Sequence, residues 1–156
     1  DFFATAESRF SFAFAVKRGP YWPPGNQYPI DAGHLSLLLY HQLANASVPG
    51  ALRGRGVQFG PFDETRTAIL VGRWDGNTLS VSVNGAPPVA HTRGGGAQQY
   101  TPLLFGRQLS TGSEYYHLQI WDRALDAAES AATFEYLCGE LAAAGLSRPL
   151  SCPGGP

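Results

Sequence analysis

Residues 115–129 read YYHLQIWDRALDAAE and contain the signal that decides the fold, a strand that leads directly into a helix. The aromatic and β-branched residues from His117 to Trp121 are typical of a strand. Asp126 and Glu129 then have the spacing of a capping box, in which two side chains accept hydrogen bonds from backbone N–H groups at the start of a helix. The pattern predicts that one helix begins at this box.

The residues after the capping box have helical periodicity. Their apolar positions are Ala131, Phe134, Cys138 and Leu141, which share one face of a helix. We expect the helix to run to about Ala143, with Gly145 as its C-terminal stop, and to lie against the strands.

Upstream of this segment the chain is dominated by short strand patterns. From Phe10 to Val16 large apolar residues alternate with small ones, which predicts a strand with one buried face. Thr67 to Val71 is almost entirely apolar, as in a strand that is covered on both faces. Asp75-Gly76 and Asn84-Gly85 are turn dipeptides. Further strand patterns lie at residues 34–40, 56–60, 78–83 and 103–105. At least seven short strands separated by turns predict an all-β sandwich or jelly roll.

Length and composition indicate one globular domain. The chain has 156 residues, with 11 Lys and Arg against 12 Asp and Glu and a formal net charge of −1. That balance gives no general attraction to nucleic acid or to an anionic membrane surface. No apolar run reaches the ~18 residues of a membrane helix. We therefore expect no nucleic-acid partner and no membrane insertion by this segment.

The two cysteines, Cys138 and Cys152, belong to no zinc-binding spacing. A disulfide between them would pin a Gly/Pro-rich tail and would indicate an oxidising compartment. The alternative is a pair of unpaired thiols. Residues 1–145 are predicted to form the domain and residues 146–156 the tail.

A family resemblance rests on three segments. Trp121, the run Asp122–Leu125 and the acid-capped helix resemble the closing segment of concanavalin A-like, laminin-G-like jelly rolls. Residues 73–85, RWDGNTLSVSVNG, resemble the central hairpin of that family, and Phe10–Lys17 resembles an early strand. The resemblance covers about residues 2–145. It implies a sandwich of two antiparallel sheets with one short C-terminal helix packed against it. Few residues precede Phe10, so we expect an abbreviated first strand or one supplied by a larger parent chain.

Catalytic patterns are missing from the sequence. A retaining glycosidase needs two carboxyl groups about 5–5.5 Å apart, and no two acidic residues here are two positions apart, the usual spacing of such a pair on one face of a strand. Asp63 and Glu64 are adjacent, so an extended chain would point them to opposite faces. Glu114 stands alone. The sequence predicts a protein that is not an enzyme, with a cryptic glycan hydrolase or lyase as the alternative.

The best ligand-binding candidate is the aromatic segment at residues 19–29, GPYWPPGNQYP. Its aromatic rings are stiffened by four prolines, so little entropy is lost on binding, and its amides suit sugar hydroxyls. A second candidate is the Gly-rich segment at 93–100. The predicted ligand-binding residues are Tyr21, Trp22, Asn26, Gln27, Tyr28, Gln98, Gln99 and Tyr100. The alternatives are that the aromatic segment caps the sandwich or packs against a parent domain, and that the glycines merely span a gap.

The resemblance also implies calcium at the loop rim, because domains of this family often carry it there. Calcium is bound by six to eight oxygen ligands. Asp31, Asp63 and Asp75 are the candidate metal ligands, although Asp75 also suits a simple turn.

These features lead to two hypotheses about function. The first is a secreted or cell-surface, non-catalytic module that recognises a glycan or a host-surface protein. The second is a structural or protein-adhesive head of a pilus-like, filament or virion surface protein. The resemblance and the aromatic segment favour the first, and the short N-terminal edge and the cysteine-bearing tail favour the second.

Overall fold

The computed structural model describes residues 9–17, 27–31, 37–40, 50–54, 57–62, 65–76, 78–92, 104–107 and 114–154. Ten strands and one helix lie within them. In chain order they are β1 (Phe10–Lys17), β2 (Gln27–Asp31), β3 (Leu37–Tyr40), β4 (Gly50–Gly54), β5 (Val57–Phe62), β6 (Ala68–Trp74), β7 (Thr78–Val83), β8 (Val89–Thr92), β9 (Leu104–Arg107), β10 (Glu114–Trp121) and α1 (Ala127–Ala143).

The strands form two five-stranded sheets. Sheet I has the order β10-β1-β6-β7-β8 and sheet II the order β5-β4-β3-β2-β9. Every paired neighbour runs antiparallel. The prediction of an all-β fold of antiparallel sheets with one C-terminal helix is confirmed.

Residues 19–30, 42–55 and 87–102 have the sequence pattern of long irregular loops, yet three strands form in these regions. They are β2, which extends one residue beyond the first region to Asp31, β4 and β8. Pro29 lies inside β2 and glycines bound β4, so neither has the alternating pattern that identifies a strand. Their conformation depends on pairing with strands that are distant in sequence, such as β9 beside β2.

Strand β1 is buried on both faces, so the prediction of one buried face is wrong. Phe10, Phe12 and Phe14 occupy one face, with neighbouring ring centroids 6.4 and 6.1 Å apart. Ala13 and Ala15 occupy the other face and are fully buried beneath α1. The small residues let the helix approach the sheet closely. Strand β6 is covered on both faces from Ala68 to Val71, as predicted.

Helix α1 has the predicted start and stop. The Asp126 carboxylate accepts from the Glu129 N–H at 2.8 Å, and the Glu129 carboxylate accepts from the Asp126 N–H at 2.9 Å. Gly145 follows the helix with a φ of 67°. The buried residues are Phe134, Leu137, Cys138 and Leu141. Ala131 is exposed, so its predicted place in the buried stripe is wrong, because the helix turns the face that includes Leu137 toward sheet I.

The residues after α1 pack back onto sheet I. Cys138 and Cys152 form a disulfide, as expected from the sequence. The Ser147 hydroxyl oxygen accepts from the Thr67 N–H at 3.2 Å. Cys152 is buried in the same apolar cluster as α1. One covalent bond and several hydrogen bonds therefore hold residues 146–152 against the sandwich.

Candidate functional site

A cleft of about 510 Å³ opens beside the N-terminal half of α1. Its floor is the face of β6 and β7 that points toward the helix. One wall is α1, a second is the turn at residues 85–88, and a third comes from Ser151 and Pro153. The volume lies within the range of small-molecule binding pockets, roughly 300–1,000 Å³.

The register of sheet I makes the floor polar. Val71 pairs with Ala13, which lies beneath α1, so Val71 and Arg73 point to the helix side of β6. Ser82 is opposite Val71 and Ser80 is opposite Arg73, so both serines share that side. The helix covers only the β1 and β6 part of this face, which leaves the serines in the cleft.

Arg73 is the cation of the floor. Its side chain is exposed, and its Nη1 atom lies 3.5 Å from the Leu125 carbonyl oxygen, a long and weak contact. A guanidinium has five N–H donors in a planar fork. Most of the donors of Arg73 therefore remain available to a ligand.

The helical wall combines small apolar residues with polar ones. Ala127, Ser130, Ala131, Phe134 and Glu135 share one helix face because they are spaced by three and four positions. The Ser130 hydroxyl donates to the Asp126 carbonyl at 2.7 Å. Glu135 is exposed. This wall offers apolar contact near Ala131 and a carboxylate acceptor at Glu135.

The turn that forms the second wall is rigid. Asn84 and Gly85 have φ values of 54° and 74°, as expected for an Asn-Gly turn. The Asn84 side-chain oxygen accepts a hydrogen bond from the Ile69 backbone N–H at 2.8 Å. The Asn84 backbone N–H donates to the Ile69 carbonyl, also at 2.8 Å. A β-carbon at Gly85 would lie 2.7 Å from the Phe134 ring, so the turn is pressed against α1. Pro87 adds a fixed backbone angle next to the turn.

The third wall depends on the disulfide. The Ser151 hydroxyl donates to the Asn84 carbonyl at 2.6 Å, and the adjacent Cys152 is bonded to Cys138 of α1. Ser151 and Pro153 are thereby fixed at the cleft edge.

Charges near the cleft are mixed. Arg73 carries one positive charge, and Asp126 and Glu135 carry negative charges. Arg123 makes a bidentate pair with Glu129 at 2.8 and 2.6 Å just outside the cleft. Together with the Asp126 N–H, that pair lowers the pKa of Glu129 to about 2.

Strand β10, at the edge of sheet I, holds two perturbed tyrosines. Its register with β1 shifts opposite Phe14, where His117 has a φ of 52°. The Tyr115 ring lies 5.8 Å from Phe14, and burial raises the pKa of its phenol. Its hydroxyl has no hydrogen-bond partner among the described residues. The Tyr116 hydroxyl donates to Glu114, which raises the Tyr116 pKa to about 12.

Two of the predicted ligand-binding residues lie in β2. Gln27 pairs with Leu39 of β3, and Tyr28 pairs with Arg107 of β9. The other six lie outside the described residues and stay predictions, namely Tyr21, Trp22, Asn26, Gln98, Gln99 and Tyr100.

The β2–β9 register separates the attachment points of the two candidate segments. Tyr28 is opposite the end of β9, whereas Asp31 is opposite Leu104, at the start of β9. Residues 98–100 precede that start. Tyr28 and Asp31 are three residues apart along β2, or roughly 10 Å.

Among the described residues, the candidate calcium ligands are not brought together in one site. The Asp75 carboxylate accepts from the Thr78 N–H at 2.8 Å, the turn contact. Asp31 lies in β2, and Asp63 lies outside the described residues. Among the described residues no group of three or more His, Cys, Asp or Glu side chains could hold a metal ion. Calcium therefore stays a prediction.

No protein-family model matches the chain, and no curated protein sequence does. Solved structures do match. Trypanosoma rangeli sialidase is 17% identical with a TM-score of 0.61, over 83% of this chain and 23% of the sialidase chain. The binding domain of Paraclostridial Mosquitocidal Protein 1 is 10% identical, with a TM-score of 0.58 over 87% of this chain and 39% of the other. The Botulinum neurotoxin serotype G binding domain is 11% identical, with a TM-score of 0.52 over 86% and 37%.

At these identities the matches establish the fold, a β-sandwich, and nothing finer. The chain spans about a quarter of the length of the sialidase chain that it matches. Among the described residues no helix is long and apolar enough to cross a membrane.

Sequence reasoning did not identify the cleft. One signal was present, because Ser80 and Ser82 alternate with apolar residues in β7 and mark an outward polar face. Two of the walls, α1 and the edge at Ser151 and Pro153, come from segments more than 40 residues away along the chain, and no local pattern indicates that they meet the floor.

Proposed function

We propose that this chain is a concanavalin A-like, laminin-G-like module that recognises carbohydrate outside the cell and has no catalytic activity. The observation that carries the proposal is the placement of β2. This strand is interior to sheet II, paired on both sides, and it fixes Gln27 and Tyr28 at the end of the aromatic segment. Binding residues that continue into a paired strand are held on a rigid scaffold.

Three further observations support the proposal. The fold is shared with a sialidase solved in complex with sialic acid and with the binding domains of two toxins. The disulfide suits an oxidising compartment. No two acidic residues in the sequence have the two-residue spacing of a glycosidase pair on one strand.

A glycan array with the purified domain tests this function, run in calcium and again in EDTA. We expect binding to at least one glycan, strongly reduced by Trp22→Ala. Tyr136→Ala is the matched control, because Tyr136 is a half-exposed aromatic on α1, and it should bind as the wild type does. Binding that EDTA abolishes would direct attention to Asp31, Asp63 and Asp75. A wild type that binds no glycan in either buffer would refute carbohydrate recognition.

Catalysis needs its own assay. Incubation with polysaccharides, including sialylated ones, should release no reducing ends, no sialic acid and no unsaturated products. Turnover by the wild type would overturn the non-catalytic part of the proposal.

A protein-adhesive head is the second candidate, and one observation favours it. Leu118 and Ile120 on the edge strand β10 are 47% and 41% exposed, and an exposed apolar edge strand is a template for association. Leu118→Lys should then reduce binding to a protein partner while leaving array binding unchanged.

A further inference from the structure

We propose that the cleft beside α1 is a saccharide site, on sheet I and therefore distinct from β2 of sheet II, that takes an uncharged ligand of one or two sugar rings. The choice of ligand class rests on the proposed function. The position of the site rests on the residues that line the cleft.

The cleft has a pattern of polar and apolar groups that suits a sugar ring. Its floor holds the Arg73 donors and the Ser80 hydroxyl, and Glu135 supplies a carboxylate acceptor on the wall. The Ser82 hydroxyl donates to the Ala86 carbonyl at 2.7 Å, so it offers its oxygen as an acceptor. Ala131 on the helix wall and Pro87 on the turn wall give apolar surface. A pyranose has the same division, with hydroxyl groups around its edge and C–H groups on its faces, so both parts of the cleft find a counterpart.

The charge of the cleft favours a neutral ligand. The lining of the cleft includes one guanidinium, that of Arg73, and two carboxylates, those of Glu135 and Asp126. An anionic ligand that reached Arg73 would also approach these carboxylates, and a cationic ligand would be opposed by Arg73. Hydroxyl groups, in contrast, both donate and accept, so a neutral sugar can use both signs of charge.

The walls are held in place by contacts within the chain itself. The disulfide fixes the edge at Ser151, the Asn84 hydrogen bonds fix the turn, and the capping box fixes the start of α1. A site whose walls need no ordering loses less free energy on binding.

The test follows backbone amide signals of the 15N-labelled domain by NMR during titration. The probes are the methyl glycosides of glucose, galactose, mannose and N-acetylglucosamine, with sialic acid and glucosamine as charged comparators. We expect saturable shifts at the Ser80, Ser82 and Ala131 amides with at least one neutral glycoside. No saturable shift there with any neutral glycoside, or a response confined to a charged sugar, overturns the inference.

A matched pair of variants locates the ligand. Ala131→Trp places a large side chain in the cleft from an exposed helix position and should abolish these shifts. Ala132→Trp makes the same change at the next residue, which is also exposed but does not line the cleft, and should preserve them. Equal effects of the two variants overturn the assignment.

Arg73→Ala tests the chemistry of the floor. Losing hydrogen bonds to a charged group should weaken glycoside binding roughly 10-fold or more. An unchanged affinity would mean that Arg73 does not contact the ligand, and it would overturn the assignment of the floor.

The two proposals fail separately. In one outcome, Trp22→Ala abolishes binding on the array, Ala131→Trp leaves it intact, and no amide shifts appear in the cleft. That outcome overturns the cleft site and keeps the proposed function. Cleft shifts that persist in Trp22→Ala support the cleft site even if the aromatic segment binds nothing.

Discussion

Removing the Cys138–Cys152 disulfide should cost about 3 kcal/mol of unfolding free energy. The two cysteines are 14 positions apart, and a cross-link that closes a loop of this size lowers the entropy of the unfolded chain by an amount worth about 3 kcal/mol. For a domain of this length the loss corresponds to a fall of roughly 6–12 °C in Tm.

The assay is guanidinium unfolding of the Cys138→Ala/Cys152→Ala double variant and of the reduced wild type. The dependence of unfolding free energy on denaturant should steepen in both, because an unfolded chain without the cross-link exposes more surface. Both sulfur atoms belong to buried residues, so the double variant also loses packing that the reduced wild type keeps. The difference between the two measures that packing.

The structure also supplies a control for the hydrogen bonds of the same segment. Ser151→Ala removes the contact to Asn84 and keeps the disulfide, and it should cost about 1 kcal/mol. A loss below about 1 kcal/mol in the double variant would refute the reasoning. It would mean that residues 146–154 detach locally before the sandwich unfolds and are not part of its cooperative unit.

Two further predictions concern single positions. Gly72→Ala should destabilise the domain by roughly 1–3 kcal/mol in urea unfolding, because a β-carbon there would overlap the buried Phe12 ring. Gly139→Ala is its control and should stabilise the domain by up to about 1 kcal/mol, since Gly139 lies within α1 with open space around it. If both substitutions changed the unfolding free energy in the same direction, the described packing at Gly72 would be contradicted. The charge-removing Glu129→Gln should lower stability at neutral pH, because the hydrogen bonds from Arg123 lower the pKa of Glu129 from 4.5 to about 2. The stabilisation by the Glu129 carboxylate is complete above pH 4.5 and is lost as the pH falls toward 2. Thermal unfolding curves of variant and wild type should therefore converge across that interval. A difference in Tm that stays constant with pH would refute the prediction.

Local signals predicted the parts of the fold that local chemistry determines. The box of Asp126 and Glu129 satisfies backbone groups within one helical turn, so its two side chains are sufficient to place the start of α1. Gly145 and Asn84 adopt positive φ values that these residue types tolerate. Such features need no knowledge of the rest of the chain.

Features that depend on distant partners were predicted less well. Phe134, Cys138 and Leu141 of the predicted stripe are buried, but Ala131 is not. The four apolar positions fit more than one rotation of the helix, and the small residues of β1 decide which rotation packs. Strand β2 was missed because its pairing with β9 joins segments far apart in sequence and Pro29 conceals its pattern.

The candidate site shows the same division. The aromatic segment was recognisable from its composition, since stiff aromatic residues cluster within a few positions. The cleft was not, because Arg73, Glu135 and Ser151 meet only after sheet, helix and tail have assembled. The alternating serines in β7 indicated a polar face of the strand, but they did not indicate which elements form the walls around that face.

The disulfide also imposes an order on the production of the cleft. Ser151 and Pro153 follow the other wall-forming segments in the chain, so a ribosome makes the floor, the turn and the helix before the third wall exists. That wall is covalently secured only after Cys138 and Cys152 have been oxidised to the disulfide. Chains that remain reduced would keep the cleft without this covalent bond, so the third wall would be fully fixed only after the disulfide has formed.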